Sequence, residues 1–108
     1  GMLKVSGRTD EVIISGGENI SLTLVEELIT KNFPNFSVIA FAIPDPVWGE
    51  KLCIGTTTNI SIEEIKGKLG TLLTPKEIFI FDSLPVTEIG KADRRRAAQM
   101  AVNMKGAN

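Results

Sequence analysis

The sequence contains no histidine and no tyrosine, and Cys53 and Trp48 are its only cysteine and its only tryptophan. Without histidine the chain offers no imidazole base, no imidazole metal ligand and no Ser-His-Asp triad. A single cysteine cannot form an intrachain disulfide, and its apolar neighbours predict a buried thiol. This cysteine usage suits a reducing compartment, so we expect a cytoplasmic protein. No metal site is predicted.

The chain also lacks a long apolar run and an excess of charge of either sign. The longest apolar run, residues 38–43, is too short to span a bilayer. A net charge of −1 provides no long-range attraction toward nucleic acid or anionic membranes. The Arg94–Arg96 run, in a nearly neutral chain with 6% aromatic residues, indicates a solvated helix face. We therefore expect no nucleic-acid partner and no membrane partner.

The 108 residues, 43% of them hydrophobic and 23% charged, predict one folded domain. Residues 3–6 could pair with a strand at residues 12–14. Further along, the hydrophobic periodicity predicts helices at residues 21–33, at 62–72 and from 92 onward, and strands at 36–43, 51–58 and 77–82. The resulting order, β-α-β-β-α-β-α, is typical of a small α+β fold, which this pattern alone does not distinguish from a ferredoxin-like fold.

Residues 7–21 combine a charged turn, an apolar strand, a glycine pair and a helix start. The β-branched side chains at 12–14 favour extended backbone. Gly16-Gly17 leaves backbone with no side chain over it, which lets another molecule approach closely. Ser21 can cap the following helix. A glycine pair by itself usually marks only a turn, so the whole string carries the argument.

Two strings in this sequence resemble motifs of one enzyme family. Residues 7–20, G-R-T-D-E-V-I-I-S-G-G-E-N-I, resemble the G-R-x-D-x-x-I-x-x-G-G-E-N-I hinge motif of AMP-forming adenylating enzymes, the acyl- and aryl-CoA ligases and their relatives. Residues 85–91, P-V-T-E-I-G-K, resemble the P-x-T-x-x-G-K lysine loop of the same family. The resemblance implies the family's C-terminal domain, an α+β fold with a short two-stranded ribbon and a three-stranded sheet flanked by helices.

Lys91 is the candidate catalytic residue. Adenylation sets a carboxylate against the α-phosphate of ATP, and a compact ammonium can stabilise the negative charge that builds on both partners. A lone Gly-Lys pair before a helix would indicate only a solvated lysine. The resemblance also implies that Asp10 is the hinge of the domain and that Arg8 reaches the nucleotide. Outside the motif they would be an ordinary turn aspartate and a surface arginine.

The glycine pair and the tryptophan are candidates for binding coenzyme A. The resemblance implies that Ser15, Gly16 and Gly17 line the tunnel for its pantetheine arm, where bare backbone suits a narrow passage. Trp48, in the W-G-E string at residues 48–50, matches a position near the CoA nucleotide and could stack on adenine. Packing against the sheet edge is the alternative role for this side chain.

We interpret residues 1–108 as the mobile C-terminal domain of an ATP-dependent acid–CoA ligase, whose N-terminal domain is its expected partner. ATP, Mg²⁺, CoA and a small carboxylic acid are expected to act in the full-length enzyme. The fragment alone is expected to bind none of them tightly and to be inactive. Leu22 and the Gly-Lys-Ala-Asp-Arg string at residues 90–94 resemble, more narrowly, the o-succinylbenzoate–CoA ligases of menaquinone synthesis.

Two alternative functions remain open at this stage. The chain could be part of a peptide-synthetase adenylation domain, in which the acceptor is the phosphopantetheine of a carrier protein. It could also be a stand-alone α+β binding module without catalysis. The reading frame upstream of Met2 would distinguish the module from the enzyme piece.

Overall fold

The computed structural model describes residues 11–106. They form β1 (Val12–Ser15), β2 (Glu18–Ser21), α1 (Leu22–Asn32), β3 (Val38–Asp45), β4 (Gly49–Thr56), α2 (Ile62–Leu69), β5 (Glu77–Ile80) and α3 (Arg94–Gly106). The predicted α+β fold, a two-stranded ribbon and a three-stranded sheet flanked by helices, is confirmed. No helix within the described range is long and apolar enough to cross a membrane. The predicted strand at residues 3–6 lies outside the described residues.

The ribbon and the three-stranded sheet join into one mixed sheet. β3 and β4 pair antiparallel along their whole length, from Val38–Thr56 to Asp45–Gly49. β5 lies parallel to β4, and β1 pairs antiparallel with β2. The strand order is β2-β1-β4-β3, with β5 also beside β4. β1 meets β4 at the Ser15–Gly49 pair, so the glycine turn of the ribbon lies against the start of β4.

Sequence analysis missed β2. Only Ile20 within this strand is buried, so Glu18 and Asn19 leave it without a pattern of alternating hydrophobic residues. In the structure Ile20 lies opposite Ile13 of β1, and both side chains are buried. The prediction that Ser21 caps the next helix is confirmed, since its Oγ accepts from the Leu24 N–H at 3.1 Å.

β3 and β4 carry a hydrophobic core on each face, as the apolar run at residues 38–43 predicts for a strand covered on both sides. Because side chains alternate along a strand, neighbouring residues enter different cores. One core, under α1 and α2, consists of Ile13, Ile20, Leu22, Val25, Ile29, Ala40, Leu52, Ile54 and Ile65. The other, under α3, consists of Ile39, Phe41, Ile43, Cys53, Phe79, Phe81, Ala97 and Ala101.

Two helix boundaries differ from the prediction. α2 ends at Leu69, and the N–H of Gly70 makes the closing bond to the Lys66 carbonyl at 2.9 Å, so Leu72 lies outside the helix and is half exposed. α3 begins at Arg94, two residues later than expected. Asp93 sets this start, because its Oδ1 accepts from the Arg96 N–H at 3.1 Å.

The burial of Cys53 makes a direct prediction. The side chain is fully buried, and desolvation raises the pKa of its thiol to about 12. At about pH 8 the thiol therefore stays protonated and enclosed, and a disulfide reagent should react with the folded chain only as fast as the chain opens. In denaturing guanidinium one thiol should react at once, and Cys53→Ser should react in neither condition. Rapid reaction of the folded protein would contradict the core assignment.

Candidate functional site

The glycine turn between β1 and β2 packs directly against the only tryptophan. The N–H of Gly16 donates to the carbonyl oxygen of Trp48 at 2.9 Å. A Cβ at Gly16 would lie 2.8 Å from Cε3 and Cζ3 of the indole, closer than real contacts allow. Gly16 also has a φ of 60°, in the left-handed region that glycine adopts without strain. Two independent constraints, space and backbone conformation, therefore require glycine here.

A short turn at the end of β3 positions Trp48. The carboxylate of Asp45 accepts from the N–H groups of Val47 and Trp48, each at 2.9 Å through Oδ2. The hydrogen bond from Trp48, assisted by the one from Val47, holds the pKa of Asp45 below its ordinary value. This turn places the indole against the ribbon, and 38% of the residue remains exposed. Trp48 therefore packs at the sheet edge and remains partly exposed.

A cavity of about 150 Å³ lies between the ribbon, Trp48 and the segment after α2. It is lined by Ser15, Gly16, Glu18, Ile20, Trp48, Leu52, Thr71, Leu72 and Lys76. The Oγ of Ser15 is buried and has no hydrogen-bond partner among the described residues. Buried polar atoms in native proteins are almost always paired, but the hydrogen-bonding capacity of this hydroxyl is unused within the described range.

Lys76 gives the rim of the cavity a positive charge. Its Nζ lies 4.4 Å from the centroid of the Trp48 ring, within the range of a cation–π contact. A neighbouring depression of about 230 Å³ shares Thr71 and Lys76 with the cavity and adds Lys66. Sequence analysis did not select Lys76. The available signal was a lysine directly after the Thr74-Pro75 helix break.

Lys91 lies on a separate hairpin that is closed by its own hydrogen bonds. The N–H of Thr87 donates to the Lys91 carbonyl at 2.7 Å, and the Lys91 N–H donates to Thr87 Oγ1 at 3.2 Å. Val86 and Ala92 form a β-bridge, and the base is closed by the Asp93 N–H donating to the Pro85 carbonyl at 3.0 Å. The side chain of Lys91 is exposed and forms no ion pair within residues 11–106. The ammonium is therefore presented outward on a short, ordered support.

The structure brings only some of the candidate residues together. Ser15, Gly16 and Trp48 line one cavity, whereas Gly17 lies at the outer side of the turn, where a Cβ would meet nothing within 4 Å. Lys91 is not part of that cavity. Arg8 and Asp10 lie outside the described residues. The cavity and the lysine hairpin are thus two separate candidate sites.

The interpretation of Arg94–Arg96 as a solvated face is wrong for Arg94. The Arg94 side chain is only 16% exposed and forms a two-pronged ion pair with Glu26 of α1, with Nη2 3.2 Å from Oε1. Its Nη1 also donates to the Ala40 carbonyl of β3 at 3.1 Å. Arg95 and Arg96 remain exposed, as expected. Nothing in the run of three arginines distinguishes Arg94, whose side chain is largely buried, from its two exposed neighbours.

Comparison with known proteins gives close relatives over most of the chain, although no protein-family model matches it. The trans-cinnamate:CoA ligase of Petunia hybrida is 35% identical over 94% of this chain, and the oxalate–CoA ligase of Arabidopsis thaliana is 35% identical over 92%. The structure of Mycobacterium smegmatis MbtA, 30% identical, superposes with a TM-score of 0.78 over 87% of this chain. The chain spans about a fifth of the length of these proteins, at 19%, 21% and 19% respectively.

The contact between Gly16 and Trp48 predicts unequal effects of two adjacent substitutions. Gly17→Ala adds only backbone strain and should lower the free energy of unfolding by about 1 kcal/mol. Gly16→Ala adds the overlap with the indole and should cost roughly 2 kcal/mol or more. Urea unfolding followed by circular dichroism measures both. In a Trp48→Ala background the excess cost of Gly16→Ala should disappear, and an unchanged cost would mean that the indole does not restrict this position.

Proposed function

This chain belongs to the family of acyl-activating enzymes and acid–CoA ligases, and from that premise we propose that it is the mobile C-terminal domain of an AMP-forming acid–CoA ligase. The main support is that the chain matches these ligases over nearly its whole length but spans only a fifth of theirs. In this proposal the larger N-terminal domain binds ATP, Mg²⁺ and a small carboxylic acid. This domain supplies Lys91 for one half-reaction and the cavity at Ser15 for the other.

In the first half-reaction a carboxylate oxygen bonds to the α-phosphorus of ATP, and the bond from that phosphorus to the bridging oxygen breaks to release pyrophosphate. Negative charge builds on oxygens of both partners, and an ammonium held between them stabilises it. Lys91 suits this role because its hairpin is ordered while its Nζ forms no ion pair within the described range. The charge is therefore available to another domain.

In the second half-reaction the CoA thiol displaces AMP from the acyl-adenylate, and the pantetheine arm must reach the acyl carbon. Ser15 and Gly16 support this role, since both line the cavity and the buried Ser15 Oγ has no partner among the described residues. Pantetheine carries amide groups that can bond to such a hydroxyl. Lys76 and Lys66 lie beside the cavity and suit the phosphates of the CoA nucleotide.

The depression beside the cavity is lined by Lys66 and Lys76 and by no acidic residue. It favours free CoA as the acceptor over a carrier protein's phosphopantetheine, because only free CoA brings a nucleotide with several phosphates. The acid is proposed only as a small carboxylic acid. The relatives named above act on trans-cinnamate and oxalate, and neither supports the narrower resemblance to o-succinylbenzoate–CoA ligases. A cytoplasmic location stays a proposal, since the trans-cinnamate ligase is peroxisomal.

Substituting Lys91 tests the proposed function in the full-length enzyme. Lys91→Ala removes a charge that acts mainly in the adenylation transition state, so kcat for adenylation should fall on the order of 10²–10³-fold with little change in KM. Thioester formation from preformed acyl-adenylate should continue at a near-normal rate. Pyrophosphate exchange and thioester production measure the two steps. Lys76→Ala is the matched control and should slow thioester formation while leaving adenylation near normal. Equal loss of both steps in Lys91→Ala would refute the assignment.

The Ser15 hydroxyl makes a second prediction. Ser15→Ala removes a buried polar atom that has no partner within residues 11–106, so the free energy of unfolding should stay the same or rise by up to about 1 kcal/mol. If pantetheine bonds to this hydroxyl, the KM for CoA should rise roughly 5–10-fold, corresponding to one neutral hydrogen bond. Adenylation should be unaffected. A loss of stability without any change in the KM for CoA would assign the hydroxyl a purely structural role.

A further inference from the structure

We propose that Arg94 is a positioning residue for adenylation, which fixes the Lys91 hairpin to α1 and to the edge of β3. The inference rests on the proposed function of Lys91. Three features carry it: the bonds that Arg94 makes, the strand edge that it occupies, and its place directly after the hairpin. None of them follows from the motif that contains Lys91.

The first feature is the set of partners of the guanidinium. Both terminal nitrogens bond to the Glu26 carboxylate, and Nη2 also lies 3.4 Å from Thr23 Oγ1 on the same helix. Nε lies 3.3 Å from an oxygen of Glu11, just before β1. Nη1 reaches the Ala40 carbonyl on β3. One side chain therefore connects the start of α3 to three other parts of the fold, and only a planar fork of donors can do so.

The second feature is the edge of the sheet. Within the described sheet β3 lies at one end of the strand order, so alternate backbone groups along it have no neighbouring strand. At Ala40 the Glu26 carboxylate accepts from the N–H at 2.7 Å, and Arg94 donates to the carbonyl. The ion pair thus occupies both backbone groups of one edge residue, as a neighbouring strand would. Its geometry is set by backbone positions as well as by charge.

The third feature is the short covalent path from Arg94 to Lys91. The hairpin closes on itself from the buried Pro85 to Asp93, and the next residue is Arg94. The hairpin has few other attachments, since Val86 and Ile89 are 57% and 78% exposed. The orientation of the Lys91 hairpin relative to the domain therefore depends on how the start of α3 is held, and the contacts of Arg94 hold it against α1 and β3.

The test compares Arg94→Ala with Arg96→Ala in the full-length enzyme, since Arg96 is an exposed arginine on the same helix turn. A displacement of about 1 Å at a catalytic group can reduce a rate on the order of 10²-fold. We expect Arg94→Ala to lower kcat for adenylation at least about 10-fold and to leave thioester formation from preformed adenylate near normal. Arg96→Ala should change neither rate. Arg94→Lys, which keeps the charge but loses the fork, should recover only part of the adenylation rate.

Double substitution separates positioning from folding. If Arg94 acts through Lys91, then Arg94→Ala combined with Lys91→Ala should be no slower in adenylation than Lys91→Ala alone. Additive losses, or equal loss of both half-reactions in Arg94→Ala, would overturn the inference. If Arg94→Ala does not fold, the adenylation rate of Arg94→Lys combined with Lys91→Ala is compared with that of Lys91→Ala alone.

A measurement on the chain itself gives an independent readout. The Asp93 amide bonds at the base of the hairpin and the Ala97 amide bonds in the first turn of α3. Hydrogen exchange of these two amides should become at least about 10-fold faster in Arg94→Lys and stay unchanged in Arg96→Ala. Unchanged exchange in Arg94→Lys would overturn the inference. If Lys91→Ala were not selective for adenylation, the proposed function itself would fail. If it were selective but Arg94→Ala behaved like Arg96→Ala, only the present inference would fail.

Discussion

The ion pair between Arg94 and Glu26, bonded across the backbone of Ala40, is the interaction on which the arrangement of this domain depends. Both side chains are largely withdrawn from solvent, at 16% and 19% exposure. Removing one partner of a buried pair leaves an uncompensated charge and costs about 3 kcal/mol or more. The pair also protects the edge of β3, which would otherwise present free backbone groups to another chain. One contact thus holds the helix that follows the lysine hairpin and occupies the backbone groups of Ala40 at the edge of the sheet.

The central strands β3 and β4 separate two cores, and this division determines where each candidate site can form. The core under α1 and α2 includes Ile13 and Ile20, so the ribbon is attached on that side and its glycine turn reaches the start of β4. The core under α3 holds that helix through the small side chains Ala97 and Ala101. The cavity at Ser15 belongs to the first side, and the lysine hairpin leads into the helix of the second.

This separation suits the proposed function, in which one domain takes part in two half-reactions in turn. A cavity needs enclosed walls from several elements, and here β1, β4 and the segment after α2 provide them around Ser15 and Trp48. A catalytic lysine supplied to another domain needs an exposed ammonium on a rigid support, and the hairpin at Lys91 provides that. The two sites share none of the residues named for them.

The sequence alone determined the features that depend on neighbouring residues. The continuous apolar run at residues 38–43 predicted a strand covered on both faces, and Ser21 predicted a helix start, because apolar runs and helix caps are patterns of a few neighbouring positions. Other features needed the tertiary structure. β2 forms because Ile20 pairs with Ile13 of β1. Gly16 is restricted by the indole of Trp48, which lies in the turn after β3. Arg94 bonds to a glutamate 68 positions away in the sequence. These contacts depend on how the chain folds, because the fold brings residues that are distant in sequence together. No pattern among neighbouring residues predicts them.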